Sequence, residues 1–246
     1  MPLVIVFLAL LLVTLVFFLI LSEEEKEETE FFHVMAHRFR SPISIIKWYI
    51  ELASDKSVGT LNDKQKEYFA EIYKASERLN ETIDSLLILL QLKSNNLLIK
   101  KQSVNIKNLM ERIVSKLQFK IERHKLHLQE SYPENKEIII QTDPKLLGIV
   151  LQNIIENAIK YTPENGNIGI SVDAPNKKIL IEIKDDGYGI PKKGRSKILS
   201  SSVNSKDMGF SLYLVKHLSK KLGGKISFKS QENKGTTFYI SLPLTS

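Results

Sequence analysis

The chain has 246 residues, enough for one large domain or two small ones with a proper hydrophobic core. It contains no cysteine, which excludes a disulfide framework and a thiolate metal site. Lysine and arginine outnumber aspartate and glutamate, 35 against 28, and give a net charge of +7. The basic residues form no run interleaved with aromatic residues, so we expect no nucleic-acid partner.

An uninterrupted apolar run opens the chain. Residues 2–21, PLVIVFLALLLVTLVFFLIL, carry no charge, and Thr14 is their one polar side chain. A run of this length crosses a bilayer as a helix, whereas a cleaved signal peptide would need a basic start and a small-residue cleavage site. A fully buried soluble helix is the alternative. We therefore expect a transmembrane helix over residues 1–21 of a single-pass cell-membrane protein, followed by an acidic linker over 22–30.

Two amphipathic helices joined by a short loop are predicted over residues 31–92. Apolar residues recur at heptad spacing in both, which is typical of helix-on-helix packing. The first seam is Phe32, Ala36, Phe39, Ile43, Ile46, Ile50 and Ala53, and the second is Tyr68, Ile72, Ala75, Leu79, Ile83, Leu86 and Leu90. One hairpin covers little of either seam, so we expect a homodimer in which two hairpins form a four-helix bundle.

Residues 93–103 are predicted to be a linker, and residues 104–246 a mixed α/β domain. We predict a helix over 106–123, a strand at IIIQT, and a second helix with Asp143 as N-cap and Pro144 in its first turn. The strands NIGISVD and KILIEIKD are predicted to pair antiparallel. A helix at FSLYLVKHLSKKLGG, closed by Gly223, and a hairpin of KISFKS and TTFYISL complete the domain.

The stretch NIIENAIKY places two asparagines inside a predicted helix. Asn153 and Asn157 are four residues apart and share one face, with Lys160 and Tyr161 one turn further on. Asparagine is a poor residue for a helix interior, so the pair needs an explanation. Either the amides form interhelical or capping hydrogen bonds, or they are oxygen ligands for Mg²⁺, next to a lysine for phosphate and an aromatic face for a base.

Two glycine-containing stretches follow. DDGYGIP, over residues 185–191, comes after a strand and is either an Asp-Gly hairpin tip or a ligand loop. A basic loop follows it rather than an alternating strand, which favours the second interpretation. Glycines let a backbone approach a flat ligand closely, and a buried carboxylate can accept a hydrogen bond from an exocyclic amine. GTTF, over residues 235–238, adds a glycine and a hydroxyl at the start of a strand.

Near the start of the first amphipathic helix, AHRFRSPI contains a histidine. His37 is one position past seam residue Ala36, and Ser41 is four residues further along the same outer flank. The histidine is therefore predicted to face away from the seam.

The order AHRFRSPI, NIIENAIKYTP, DDGYGIP, a lid and GTTF resembles the membrane-bound sensor histidine kinases of two-component signalling over nearly everything after the apolar run. The resemblance implies an α and α+β protein, with a dimerisation and phosphotransfer hairpin and an ATP-binding α/β sandwich of the gyrase and chaperone type. It implies ATP-dependent autophosphorylation of His37 and transfer to an aspartate of a response regulator. The catalytic part would then be cytoplasmic.

The resemblance also implies roles for particular residues. Asn157 would hold Mg²⁺ with Asn153 nearby, Lys160 would meet phosphate, and Tyr161 would flank the adenine of ATP. Asp185 would accept from the adenine amine. The other implied nucleotide-binding residues are Gly187 and Gly189, which would open the adenine pocket, Thr236 behind it, and Gly209 at the start of the last helix. The related ATPases carry a catalytic glutamate at the position of Asn153, and an amide cannot take a proton from water, so transfer is favoured over hydrolysis.

Two departures from the family pattern motivate an alternative. Arg38 stands where the family has an acid after the phosphoacceptor histidine, and positions 33, 34, 40 and 41 supply no acid one turn away. The lid, residues 192–212, is short and keeps only Gly209 of the expected glycines. The alternative is a kinase-impaired ATP-binding dimer of the same family, a scaffold or a phosphatase-biased member that uses the Ser41 hydroxyl to place a water.

Overall fold

The computed structural model describes residues 39–55, 59–133, 137–175, 177–192, 195, 198 and 209–244. The chain forms two compact units, Met1–Leu97 and Leu98–Ser246. The predicted membrane helix, His37 and Arg38 lie outside the described residues. None of the helices in the described part of the chain combines the length and the apolar composition that a bilayer crossing requires.

The first unit contains the predicted helical hairpin. Helix α1 covers residues 39–54 and helix α2 covers Asp63–Lys93. Arg40 forms an ion pair with Asp84, and Lys47 forms one with Glu77. The later residue of α1 thus pairs with the earlier residue of α2, so the two helices run antiparallel. This confirms the predicted αα-hairpin.

A small buried cluster joins the two helices. It consists of Ile43 from α1 with Ile83 and Leu87 from α2. Most other seam residues that the structure describes are exposed in the single chain: Phe39, Ile46, Tyr68, Ile72, Leu79 and Leu86. A contiguous apolar surface of this kind marks an interaction face. The hairpin by itself thus leaves much of its predicted seam uncovered.

The described residues of the second unit include two sheets and three long helices. Strand β1 (Gln102–Asn105) pairs antiparallel with β3 (Ile139–Thr142). The larger sheet has the order β2-β4-β5-β7-β6, in which β2 is parallel to β4 and all other neighbours are antiparallel. Its strands are β2 (His127–Ser131), β4 (Asn167–Asp173), β5 (Lys178–Asp185), β6 (Lys225–Gln231) and β7 (Gly235–Pro243). The helices are α3 (Ile106–Arg123), α4 (Pro144–Tyr161) and α5 (Gly209–Lys221).

The core lies between one face of the large sheet and the helices. Alternate residues of the central strands are buried, for example Ile179, Ile181 and Ile183 of β5, as expected for a sheet covered on one face. Helix α4 contacts α3, α5 and β5. It buries Leu147 and Ile154 completely, so it forms the centre of the helical layer. This α/β sandwich confirms the predicted architecture of the second unit.

The predicted cap residues have the expected contacts. The Asp143 carboxylate accepts from the backbone N–H groups of Lys145 and Leu146 at 3.0 and 3.1 Å, which confirms it as the N-cap of α4. Gly223 has φ +78°, and its N–H donates to the carbonyl of Lys220 at 3.0 Å, so it ends α5 as predicted. Strands β1 and β2 were not predicted, because most of their residues are exposed and show no apolar alternation.

Candidate functional site

The end of α4, the loop after β5 and the start of β7 meet at one place in the second unit. The backbone N–H of Tyr188 donates to the carbonyl of Tyr161, the last residue of α4, at 3.1 Å. The backbone N–H of Thr236 donates to the Asp185 carboxylate at 3.0 Å. The structure therefore brings together Tyr161, Asp185 and Thr236, three residues that are far apart in the sequence.

Asp185 is the buried acid of this place, with 5% of its surface exposed. Its Oδ1 accepts from the N–H groups of Gly187 and Thr236, each at 3.0 Å. Because both backbone donors end on Oδ1, Oδ2 is left for another donor, such as a ligand amine. Burial raises the pKa of the Asp185 carboxyl, the two backbone hydrogen bonds work against that rise, and the neighbouring charge of Asp186 adds to it.

The neighbouring acid, Asp186, has a structural role. Its two oxygens accept from the backbone N–H and the side-chain amide of Asn167 at 2.8 and 2.6 Å, which fastens the loop to the first residue of β4. Hydrogen bonds from Asn167 lower the pKa of the Asp186 carboxyl despite some desolvation. Of the two adjacent carboxylates, one holds the loop in place and the other is buried beside it.

Three glycines permit the close approach of backbone segments around Asp185. A Cβ on Gly187 would lie 2.2 Å from the Tyr161 carbonyl oxygen. A Cβ on Gly189, at φ +62°, would lie 2.0 Å from the Gln231 carbonyl oxygen, and one on Gly235, at φ +94°, would lie 1.9 Å from the Asp185 carbonyl oxygen. Gly187 and Gly189, for which the resemblance predicts a place at the adenine pocket, lie in the loop after β5. In the structure they let the loop pack against α4 and β6.

Ser230 of β6 is a residue that sequence reasoning missed. Its hydroxyl accepts from the N–H of Ile190 at 2.8 Å, donates to the carbonyl of Gly235 at 3.0 Å, and lies 3.0 Å from the Thr236 hydroxyl. It therefore links the loop after β5 to the start of β7. The sequence shows only a hydroxyl at the end of KISFKS. Its contacts depend on the register of β6 with β7, which places Ser230 opposite Thr236.

The two asparagines of α4 differ in their contacts. The Asn153 amide nitrogen donates to the Ile149 carbonyl at 2.7 Å, and its oxygen accepts from the hydroxyl of Ser211 on α5. The amide nitrogen of Asn157 is buried without any hydrogen-bond partner. Asn153 thus makes an interhelical hydrogen bond, and its role near the nucleotide stays a prediction. Asn157 is the amide that protein contacts leave unsatisfied.

The other candidate residues occupy scattered positions. Lys160 is exposed, and its ammonium lies 5.0 Å from the centroid of the half-exposed Tyr161 ring. Gly209 begins α5. Ser41 is exposed on α1, in the first unit. In the basic stretch after the loop, the Arg195 side chain donates to the Ile190 carbonyl at 2.9 Å, while residues 199–208 of the predicted lid lie outside the described residues.

The side chains at the candidate site suit Mg²⁺ bound together with a nucleotide better than Mg²⁺ bound by protein side chains alone. Across the described ranges, no three or more His, Asp or Glu side chains gather where they could hold a metal ion. Mg²⁺ is commonly bound through few protein oxygens together with substrate phosphates. The unpartnered amide nitrogen of Asn157 is a donor that suits a phosphate oxygen, and Lys160 on the next turn adds a cation, so both residues fit the phosphates of such a ligand.

We expect Asp185→Asn to separate folding from ligand binding. Asparagine keeps an oxygen for the two backbone donors and removes the buried charge, so Tm at neutral pH should rise or stay the same. The carboxyl of Asp185 has a raised pKa in the folded protein. Raising the pH from the usual aspartate range through that pKa therefore lowers the free energy of unfolding of the wild type. The variant has no carboxyl at this position, so it should not show this decrease. The Asn amide can present a donor where an amine needs an acceptor, so adenine-nucleotide affinity should fall about 100-fold.

Titration with a fluorescent ATP analogue and thermal unfolding from pH 4 to 8 check this prediction. Asp173→Asn is a suitable control, because Asp173 is an exposed acid at the far end of the neighbouring strand. Unchanged nucleotide affinity in the Asp185 variant would show that this carboxylate does not recognise the base.

Two family models match the chain in succession. The model described as His Kinase A (phospho-acceptor) domain matches residues 27–95. The model described as histidine kinase-, DNA gyrase B-, and HSP90-like ATPase matches residues 142–246. Together they cover the hairpin of the first unit and most of the sandwich of the second.

Known proteins are similar to this chain over most of its length. Sensor protein SrrB of Staphylococcus aureus (strain N315) is 28% identical over 222 residues, which are 87% of this chain and 38% of SrrB. The solved structure of full-length ShkA in complex with AMPPNP has a TM-score of 0.72 at 20% identity, covering 88% of this chain and 46% of that one. Histidine kinase ThkA in complex with response regulator protein TrrA has a TM-score of 0.58 at 24% identity, covering 88% and 61%.

The chain spans less than half the length of SrrB. What it shares with such relatives is a phospho-acceptor helical hairpin followed by an ATPase-type sandwich, in the same order and over most of its own length. The chain therefore carries, in order, the phospho-acceptor and ATPase domains that characterise the sensor histidine kinases of two-component systems.

Proposed function

We propose that this chain uses ATP and Mg²⁺ to phosphorylate His37 and then passes the phosphoryl group to an aspartate of a response regulator. The observation that carries the proposal is the buried Asp185, whose Oδ1 is held by two backbone donors beside the end of α4. ShkA was solved with AMPPNP and ThkA with a response regulator, and both structures support the same two ligands for this chain.

Different residues of the second unit bind different parts of ATP and its Mg²⁺. Asp185 would accept from the adenine amine through Oδ2, the backbone N–H of Thr236 holds that carboxylate, and the Ser230 hydroxyl links the loop to the start of β7. The Asn157 amide oxygen holds Mg²⁺, and Lys160 binds phosphate as a cation. ATP supplies the phosphoryl group, and ADP is the leaving group. Catalysis of this transfer consists mainly of positioning and charge stabilisation.

The contacts of Asn153 favour histidine over water as the acceptor. Its nitrogen donates to Ile149 and its oxygen accepts from Ser211, so both ends of the amide are engaged. An amide has no basic site that can take a proton from water. The neutral imidazole of His37 needs no such base, because it attacks through a nitrogen lone pair. The phosphoryl group is therefore transferred to protein rather than hydrolysed.

We further propose that the protein acts as a homodimer in the cell membrane. The exposed seam of α1 and α2 would pack against a second copy to complete a four-helix bundle. The apolar run over residues 2–21 would anchor each copy, with the catalytic part in the cytoplasm.

Labelling with γ-³²P-ATP tests the kinase assignment. The full chain in detergent should take up label that acid removes and alkali does not, and uptake should need Mg²⁺. Asn157→Ala should take up no label while its Tm stays near that of wild type, because the amide makes no hydrogen bond through its nitrogen whose loss would destabilise α4. A wild-type chain that binds ATP but takes up no label would favour the kinase-impaired alternative.

A further inference from the structure

Ser211 connects the two helices that border the candidate site. It lies in the first turn of α5, and its hydroxyl donates to Oδ1 of Asn153 in the middle of α4. The Asn153 nitrogen is held at 2.7 Å by the carbonyl of Ile149, one turn earlier on α4. Reversing this amide would place its oxygen against the Ile149 carbonyl oxygen, so its orientation is fixed and its oxygen points to α5. The Ser211 hydroxyl is the group that meets it there.

Asn157 lies one turn after Asn153 on the same face of α4. Its buried nitrogen has no partner, in contrast with the fully engaged amide of Asn153. The two asparagines thus differ: Asn153 is bonded to α5 through its oxygen, whereas the amide nitrogen of Asn157 bonds to no protein group. Any shift of the first turn of α5 away from α4 would break the Ser211–Asn153 bond beside the face that carries Asn157.

We propose that Ser211 is a positioning residue for the magnesium–nucleotide site, which it serves by fixing the start of α5 against α4 through Asn153. This inference rests on the proposed function, because it concerns how the same site is held. It assigns Asn153 to the tether and leaves Asn157 as the amide ligand of the cation. Ser211 itself touches neither the cation nor the nucleotide.

If the Ser211–Asn153 hydrogen bond only held the two helices together, its loss would lower the free energy of unfolding and change nothing else. A positioning bond must also act on the Mg²⁺ dependence of nucleotide binding, because the spacing of the helices sets the geometry around Asn157. Removing one hydrogen bond of this kind is worth about a two- to tenfold change in an equilibrium constant. That change should appear in the Mg²⁺ concentration that gives half-maximal binding, and should be absent when binding is measured in EDTA.

The experiment uses the full chain in detergent with a fluorescent ATP analogue, titrated with Mg²⁺ and repeated in EDTA. Ser211→Ala should raise the half-saturating Mg²⁺ concentration about two- to tenfold and leave binding in EDTA unchanged. Ser211→Thr keeps the hydroxyl and should restore the wild-type value. Ser219→Ala is the matched control: it removes the same atom from the same helix, where the hydroxyl is buried with 1% of the residue exposed and has no hydrogen-bond partner.

A double-mutant cycle with Asn153→Ala shows whether Ser211 acts through that residue. In the Asn153→Ala background, Ser211→Ala should cause no further change, because its partner is already gone. Full additivity, or an unchanged Mg²⁺ dependence in Ser211→Ala, would overturn this inference while leaving the kinase assignment in place. A wild-type chain that binds no nucleotide would instead overturn the proposed function, and this inference with it.

Discussion

Replacing His37 by glutamine is expected to abolish phosphoryl labelling of the protein by ATP. A glutamine amide has no nucleophilic nitrogen lone pair, so it cannot form the acid-labile bond to phosphorus that imidazole forms. Nucleotide binding should be unchanged, because the residues proposed to bind ATP belong to the second unit, Leu98–Ser246. The expected result is therefore a complete loss of label at normal nucleotide affinity.

Other histidines of the chain provide controls. His217→Gln should keep its label, because its ring serves the structure: Nδ1 lies 2.8 Å from the Tyr213 carbonyl oxygen, and the ring centroid lies 4.0 Å from that of Tyr213. His33→Gln, four residues before His37, tests whether any histidine near the start of the first amphipathic helix can serve. Wild-type labelling of the His37 variant would move the acceptor to another residue, such as one of the four other histidines of the chain.

The regular elements of the second unit could be predicted wherever one face is buried. The alternating strands around Ile170 and Ile181 and the amphipathic helix α3 showed their periods clearly in the sequence. Strands β1 and β2 could not be predicted, because their side chains are mostly exposed and tertiary pairing alone makes them strands.

The location of the candidate site could be predicted from the sequence more completely than the contacts of its residues. The sequence placed two acids side by side at 185 and 186, but which one is buried depends on the register of β5 with β7 and on Asn167 at the start of β4. Likewise, Asn153 and Asn157 are equivalent in helical position, and their different hydrogen bonds, including the one between Asn153 and Ser211, distinguish them only in the folded structure. Long-range contacts of this kind have no local pattern, so they appear only in the folded structure.

The second large effect is expected from Arg38→Glu, which should speed autophosphorylation rather than abolish it. Positive charge develops on the imidazole as the phosphoryl group arrives, and an adjacent carboxylate stabilises that charge whereas an arginine opposes it. The sequence has no acid within one helical turn of His37, so the variant would supply a group that is missing. The gain should lie within the general-base range of about 10²–10⁴ if phosphoryl transfer limits the rate.

The next arginine in the sequence, Arg40, has a partner for its charge. Arg40 forms an ion pair with Asp84 of α2, so its charge is already compensated within the hairpin. Both partners are substantially exposed, and the pair contributes little to stability. Arg40→Glu would place two acids together and break the hairpin contact, whereas Arg38→Glu alters the position directly after the histidine. The substitution at Arg38 is therefore the sharper test of the missing acid.

Single-turnover labelling of wild type, Arg38→Gln and Arg38→Glu at saturating ATP decides the matter. Glutamine removes the opposing charge without adding an acid, so its rate should fall between the other two. Adding His37→Gln to the Arg38→Glu chain should remove all label, which fixes the acceptor of the faster reaction. If the glutamate variant is slower than wild type, Arg38 has an active part in the transfer, such as binding the γ-phosphate, and the family's acid is not what this chain lacks. If both substitutions leave the rate unchanged, the charge beside His37 does not set the rate of labelling, and the prediction is wrong.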